Sequence, residues 1–107
     1  LEHVRDDRKA MCELHRVLKK TGCGILVVPI DLTQLEIDED PDCTDVGERW
    51  RRFGQNDHVR MYSREGYLKR LKEAGFRVLQ YQKEYFGTQA MYENALTETA
   101  TVYIVAK

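Results

Sequence analysis

The stretch Gly24-Ile25-Leu26-Val27-Val28-Pro29-Ile30-Asp31 decides the fold. Gly24 to Val28 is continuously apolar and mostly β-branched, without alternation. A run of this kind predicts a strand buried on both faces, as in parallel α/β sheets. Pro29 ends it, since a proline cannot donate to a strand ladder. Asp31 then stands at the strand's C-terminal edge, where open α/β sheets place their ligands.

Upstream of this strand, Ala10, Met11, Leu14, Val17 and Leu18 fall on one stripe of a 3.6-residue period. They predict a helix from about Asp6 to Lys19. Asp6 and Asp7 suit the positive end of its dipole, and Lys19 and Lys20 the negative end. Gly22 is read as the stop.

Downstream, Ile30 to Asp45 is acidic and without a period, so it reads as a loop. Val46 to Phe53 predicts a short charged helix with Trp50 turned inward, closed by Gly54. Gln55 to Tyr62 is a polar connection. Ser63 is an N-cap for a helix from Arg64 to Ala74, whose stripe is Tyr67, Leu68, Leu71 and Ala74. Gly75 terminates it. Phe76 to Glu84 reads as a strand with two possible inward sets: Phe76, Val78 and Gln80, or Leu79 and Tyr81. Gly87 to Asn94 is a connection with helical character, and Thr99 to Ala106 is a last strand. No full crossover helix separates the final two strands, so they are expected to be antiparallel. The fold class is α/β, with about three strands and two main helices.

Composition narrows the function. The chain has 107 residues, with 17 Lys and Arg against 18 Asp and Glu, a net charge of −1. This is one domain, 1–107, and its charge balance argues against a nucleic-acid partner or a polybasic membrane module. The apolar run from Ile25 to Ile30 is far too short to cross a membrane. Glu2, Arg5, Asp6 and Asp7 leave no place for a signal-peptide core to begin. Cys12, Cys23 and Cys43 form no C-x-x-C pair, which excludes zinc ribbons and thioredoxin-type motifs. They read as reduced thiols of a cytoplasmic protein. Cys12 and Cys23 are expected to be packed rather than reactive.

Taken in order, several segments resemble class I S-adenosylmethionine-dependent methyltransferases. Leu1-Glu2-His3-Val4 with Asp6-Asp7 is similar to a segment that follows the fourth strand there. Leu14-His15-Arg16-Val17-Leu18-Lys19 and Lys20-Thr21-Gly22-Cys23-Gly24 resemble the lead into the fifth, with Cys23 interrupting the usual glycine pair. Ile25 to Asp31 is similar to the fifth strand and its exit. Phe53-Gly54-Gln55, Asp57-His58-Val59-Arg60 and Tyr62 resemble a segment of one subgroup. Tyr67-Leu68, Leu71 and Ala74-Gly75-Phe76 resemble the helix before the sixth strand, and Val102 to Lys107 the antiparallel seventh strand.

The resemblance implies a partial Rossmann-like methyltransferase fold, and only its second half. The family holds its cofactor on a glycine-rich turn after the first strand, because close backbone approach needs residues without a Cβ. This chain has no such turn: Gly22 and Gly24 precede a strand, and Val27 stands where a third glycine would be needed. S-adenosylmethionine is therefore the cofactor of the full-length family, and none is expected to bind this chain alone.

Leu1, Glu2 and His3 occupy, by resemblance, the segment beside cofactor and substrate. His3 is the one candidate for a general base. Asp31, Gln55, Asp57, His58 and Arg60 form the candidate ligand-binding set, grouped at the strand's edge if the resemblance holds. No metal site is read: Asp38, Asp40 and Asp42 have a calcium-loop spacing, but Cys43 replaces the required glycine and Arg49 the final glutamate. Arg49, Arg51 and Arg52 are expected to be compensated by the neighbouring acidic loop.

A half fold leaves an open strand edge and an uncovered sheet face. Ile25, Leu26, Val27 and Val28 are therefore the expected interface. Either a homodimer completes the sheet, or a separate chain supplies the missing N-terminal half. The two functions in view are the substrate-side half of a methyltransferase, and a non-enzymatic homodimeric module that binds a small ligand or a protein.

Overall fold

The computed structural model describes residues 1–107. Its elements run α1 (Asp7–Val17), β1 (Cys23–Ile25), β2 (Asp38–Glu39), α2 (Val46–Phe53), β3 (Arg60–Met61), α3 (Arg64–Glu73), β4 (Arg77–Tyr81), α4 (Lys83–Phe86), α5 (Thr88–Glu93) and β5 (Val102–Ala106). The protein is a small α/β domain. No helix is long and apolar enough to cross a membrane.

The helices begin where side-chain oxygens can take up free amides. Asp6 accepts from Lys9 N, Asp45 from Glu48 N and Ser63 from Gly66 N. Each cap contributes about 1 kcal/mol. Gly54 ends α2 in the left-handed conformation at φ 79°, which costs a residue without a Cβ nothing. α1 stops at Val17, before Gly22, because Leu18 already turns to extended backbone.

The main sheet has the order β1-β5-β4, with β5 antiparallel to both neighbours. β1 and β4 therefore run parallel to each other. β3 pairs instead with β2, in a second, two-stranded sheet. On one face of the main sheet, Tyr103, Val105, Phe76 and Val78 pack with Met11 of α1 and with Tyr67 and Leu71 of α3. Phe76 and Val78 are thus the inward set of their strand. In the opposite direction, register places Ile25, Ile104 and Leu79 in one row across the sheet. That face carries the Tyr81, Tyr85 and Phe86 cluster where α4 packs, yet Ile25 and Leu79 remain 65% and 57% exposed.

Four expectations are corrected. The strand from Gly24 to Val28 is shorter and is not buried on both faces: Ile25 and Val27 face solvent, Leu26 is half-buried and Val28 is buried. The cause is that β1 is an edge strand, paired to β5 alone and covered by helices on one side. Trp50 is 56% exposed, and Phe53 fills the interior in its place. Cys12 and Cys23 are exposed rather than packed, since the buried line of α1 runs through Asp7 and Met11. The acidic loop and the polar connection are not wholly irregular, because β2 and β3 pair across them.

Candidate functional site

The site is built on a group of charges inside the fold. Asp7 is buried and accepts from Tyr62 Oη and Arg70 Nη1, both at 2.6 Å. Glu39 accepts from Arg70 at 2.5 and 3.0 Å and from Arg60 Nε at 3.0 Å. The Arg70 hydrogen bonds, against the opposing effect of burial, push the Glu39 carboxyl down to about 2. Burial, reinforced by the bond to Asp7, drives the Tyr62 hydroxyl well above its ordinary value. For Arg70 burial acts the other way, and its bonds to Glu39 and Asp7 overcome it and raise the guanidinium further.

Arg60 carries this charge group to the start of the chain. Its guanidinium donates to the carbonyls of Leu1 at 2.8 Å and Arg5 at 3.0 Å, and also to that of Val4. Beside it, Val59 N donates to Glu2 O at 3.0 Å. Residues 1–5 are therefore strapped to the 58–60 segment, and their turn is part of the fold. Arg60 was expected to face a ligand. It is buried with its donors engaged by the protein, so it positions the site from beneath.

Above that clamp, residues far apart in sequence converge. His3 Nδ1 lies 3.1 Å from Asp57 Oδ2, and His3 Nε2 lies 3.5 Å from Glu2 Oε1. The His3 and His58 rings meet edge to face, with centroids 4.6 Å apart. His58 is buried, and its Nδ1 lies 3.1 Å from Phe53 O. A carbonyl can only accept, so that nitrogen carries the proton and the neutral ring keeps its lone pair on Nε2. The Glu2 carboxyl would be raised by burial, but its own backbone amide, the terminal amine and His3 hold it below the usual range. The arrangement offers one carboxylate and two imidazoles at a partly open surface, able to exchange protons or donate lone pairs.

Glu2, His3, Asp57 and His58 are thus brought together, and Leu1 packs against the core below them. Asp31 is committed to its own turn. It accepts from Thr33 N at 2.8 Å, Thr33 Oγ1 at 2.6 Å and Gln34 Nε2 at 3.1 Å. The Thr33 hydroxyl, the largest of these influences, lowers its carboxyl below the ordinary value. Gln55 is exposed. In the acidic loop, Arg52 pairs with Asp38 and Asp40, and Arg5 with Asp42. Of the three arginines expected to be compensated by this loop, only Arg52 is: Arg51 pairs with Glu48 of its own helix, and Arg49 donates to the carbonyls of Cys43 and Asn56.

Sequence reasoning missed Asp7, Glu39 and Arg70, because nothing local distinguishes a buried charge from a solvated one. It also missed a cleft of about 390 Å³ between the end of α1 and the β1 edge, lined by Leu14, Val17, Leu18, Leu26, Phe76 and Val105 among others. The α1 stripe was the available signal, since Leu14 and Val17 stay exposed on the side beyond β1. Compared with known protein families, curated proteins and solved structures, the chain matches none of them.

Proposed function

We propose that this chain is the substrate-side half of an S-adenosylmethionine-dependent methyltransferase, inactive on its own. The observation that carries the reading is the main sheet. Its closing strand β5 is antiparallel and lies between two strands that run parallel to each other, and β1 keeps a free edge. That is consistent with a fifth, a sixth and an antiparallel seventh strand. A fourth strand on the β1 edge, and helices over Ile25, Ile104 and Leu79, would come from the half that carries the glycine-rich turn. The reaction would move a methyl group from a sulfonium to a nucleophile, with the protein supplying position and electrostatics. His3, flanked by Asp57, is the residue able to take the acceptor's proton. The free thiols fit a reducing, cytoplasmic setting.

The test is a chimera that joins the first four strands of a class I methyltransferase, with their glycine-rich turn, to Leu1. Calorimetric titration with S-adenosylhomocysteine is expected to give micromolar binding to the chimera and none to the chain alone. A folded chimera that binds nothing would overturn the reading.

The second reading, a homodimeric module that binds a small ligand, is favoured by the exposed apolar pair Ile25 and Val27 beside the open cleft. A stable dimer of the chain by itself, measured by sedimentation equilibrium, would support it.

A further inference from the structure

We propose that Glu2, His3 and His58 form a binding site for one Zn²⁺ ion, with Asp57 as the outer carboxylate that orients His3. A carboxylate oxygen of Glu2 and one ring nitrogen from each histidine lie within 4.8 Å of one another. Ligand atoms held tetrahedrally at zinc distances sit about 3.4 Å apart. Glu2 Oε1 and His3 Nε2 already meet that separation, at 3.5 Å. The wider separations, up to 4.8 Å, must close by about 1.4 Å to reach zinc distance, and the His3 side chain, 47% exposed, is the least confined of the three.

The outer contacts are those a metal-ligating histidine needs. His58 is pinned through Nδ1 by the Phe53 carbonyl, so Nε2 is the nitrogen with a lone pair. His3 has the Asp57 carboxylate 3.1 Å from its Nδ1, the outer contact that orients its ring, and presents Nε2 toward Glu2. Nδ1 of each ring is thus engaged by the protein, which leaves Nε2 to face an ion. The Glu2 side chain is largely shielded, at 15% exposure.

The donor set chooses the ion. Two imidazoles and one carboxylate suit zinc and its neighbours, whereas magnesium and calcium take shells of oxygen. Three protein ligands leave a fourth position, and the exposure of His3 and Asp57 turns it toward solvent. Zinc sites that bind a water or a small ligand keep such a position open, and purely structural sites fill it. The inference does not rest on the methyltransferase reading: zinc binding is measured without any cofactor, and a His3 lone pair given to zinc is not available to take a proton.

The experiment is calorimetric titration of the full chain with ZnCl₂, and with MgCl₂ in parallel. It is repeated on a variant with Cys12, Cys23 and Cys43 replaced by Ser, because three free thiols compete for zinc. One equivalent of Zn²⁺ is expected to bind both forms with micromolar affinity, and Mg²⁺ is expected not to bind. His3→Ala, at an exposed position, should weaken zinc binding by at least about tenfold, and Asp57→Asn by roughly tenfold. His58→Ala removes a buried ring and tests folding as much as binding, so His3→Ala is the deciding variant. Co²⁺ bound to the thiol-free form should give visible bands without thiolate charge transfer. Zinc binding that disappears with the thiols, or that His3→Ala leaves unchanged, overturns the proposal.

Discussion

Asp7 and Arg70 meet inside the fold at 2.6 Å, although 63 positions separate them in the chain. Asp7 sits in the first turn of α1 and Arg70 in the last turn of α3, so their contact ties together the two longest helices. The same carboxylate accepts from Tyr62, whose backbone carbonyl accepts from Asp31 N. One buried side chain thus links both helices to the strand exit.

Removing Asp7 should therefore be severe. Asp7→Ala leaves the Tyr62 phenol buried without its acceptor and takes one of two carboxylates from Arg70, which keeps Glu39, a loss of about 3 kcal/mol. Asp7→Asn keeps the shape and one acceptor, and should cost about 1–3 kcal/mol. Urea unfolding at unchanged slope measures both, and a change under about 1 kcal/mol for the alanine variant would contradict the pairing.

Acid should act through Glu39. Its carboxyl is held down to about 2 in the folded protein, against an ordinary glutamate value of 4.5. A depressed acid contributes its full stabilisation above the unfolded value, and loses it as pH falls through the folded one. Stability is expected to decline from about pH 4.5 toward pH 2. In Glu39→Gln that share of the decline should vanish, seen as a flatter plot of urea midpoint against pH.

Arg60 should control the histidine site without touching it. Arg60→Lys keeps the charge but cannot reach three carbonyls and Glu39 at once. The turn of residues 1–5 should loosen, and the Val59 amide, which donates to Glu2 O, should lose hydrogen-exchange protection. If the His3 and His58 ring contact survives in the NMR spectrum of this variant, the clamp is not what holds it.

Gly66 fits a space that admits no Cβ. A Cβ there would lie 2.5 Å from Ile37 Cγ1 and 2.8 Å from Ser63 Oγ. Gly66→Ala should destabilise by about 1–3 kcal/mol through overpacking. Adding Ile37→Ala should recover part of that loss, and simple additivity of the two costs would argue against the clash.

The free edge of β1 gives a fifth test. Ile25 is exposed, so Ile25→Lys should change the stability of the single chain by less than about 0.5 kcal/mol. If two copies associate through this face, the same variant should shift the mass in solution to that of one chain. An unchanged dimer would place the contact elsewhere.

Much of the local structure was legible from the residues alone. α2 spans Val46–Phe53 as read, and α3 lies between Ser63 and Gly75 as read, because caps and a left-handed glycine act within a few residues of themselves. The antiparallel pairing of the last two strands also followed, since too little chain separates them for a parallel crossover. Three-dimensional packing decided the rest. The apolar run after Gly24 resembled a strand buried on both sides, but its burial depends on how many neighbours the strand has, which no local pattern records. Trp50 and Phe53 exchanged places for a related reason, since a stripe marks an apolar face without saying which ring the core admits. Asp7, Glu39, Arg60 and Arg70 look like surface charges one at a time. Only when the chain closes do they neutralise one another, and only then do His3 and His58, 55 positions apart, share a site.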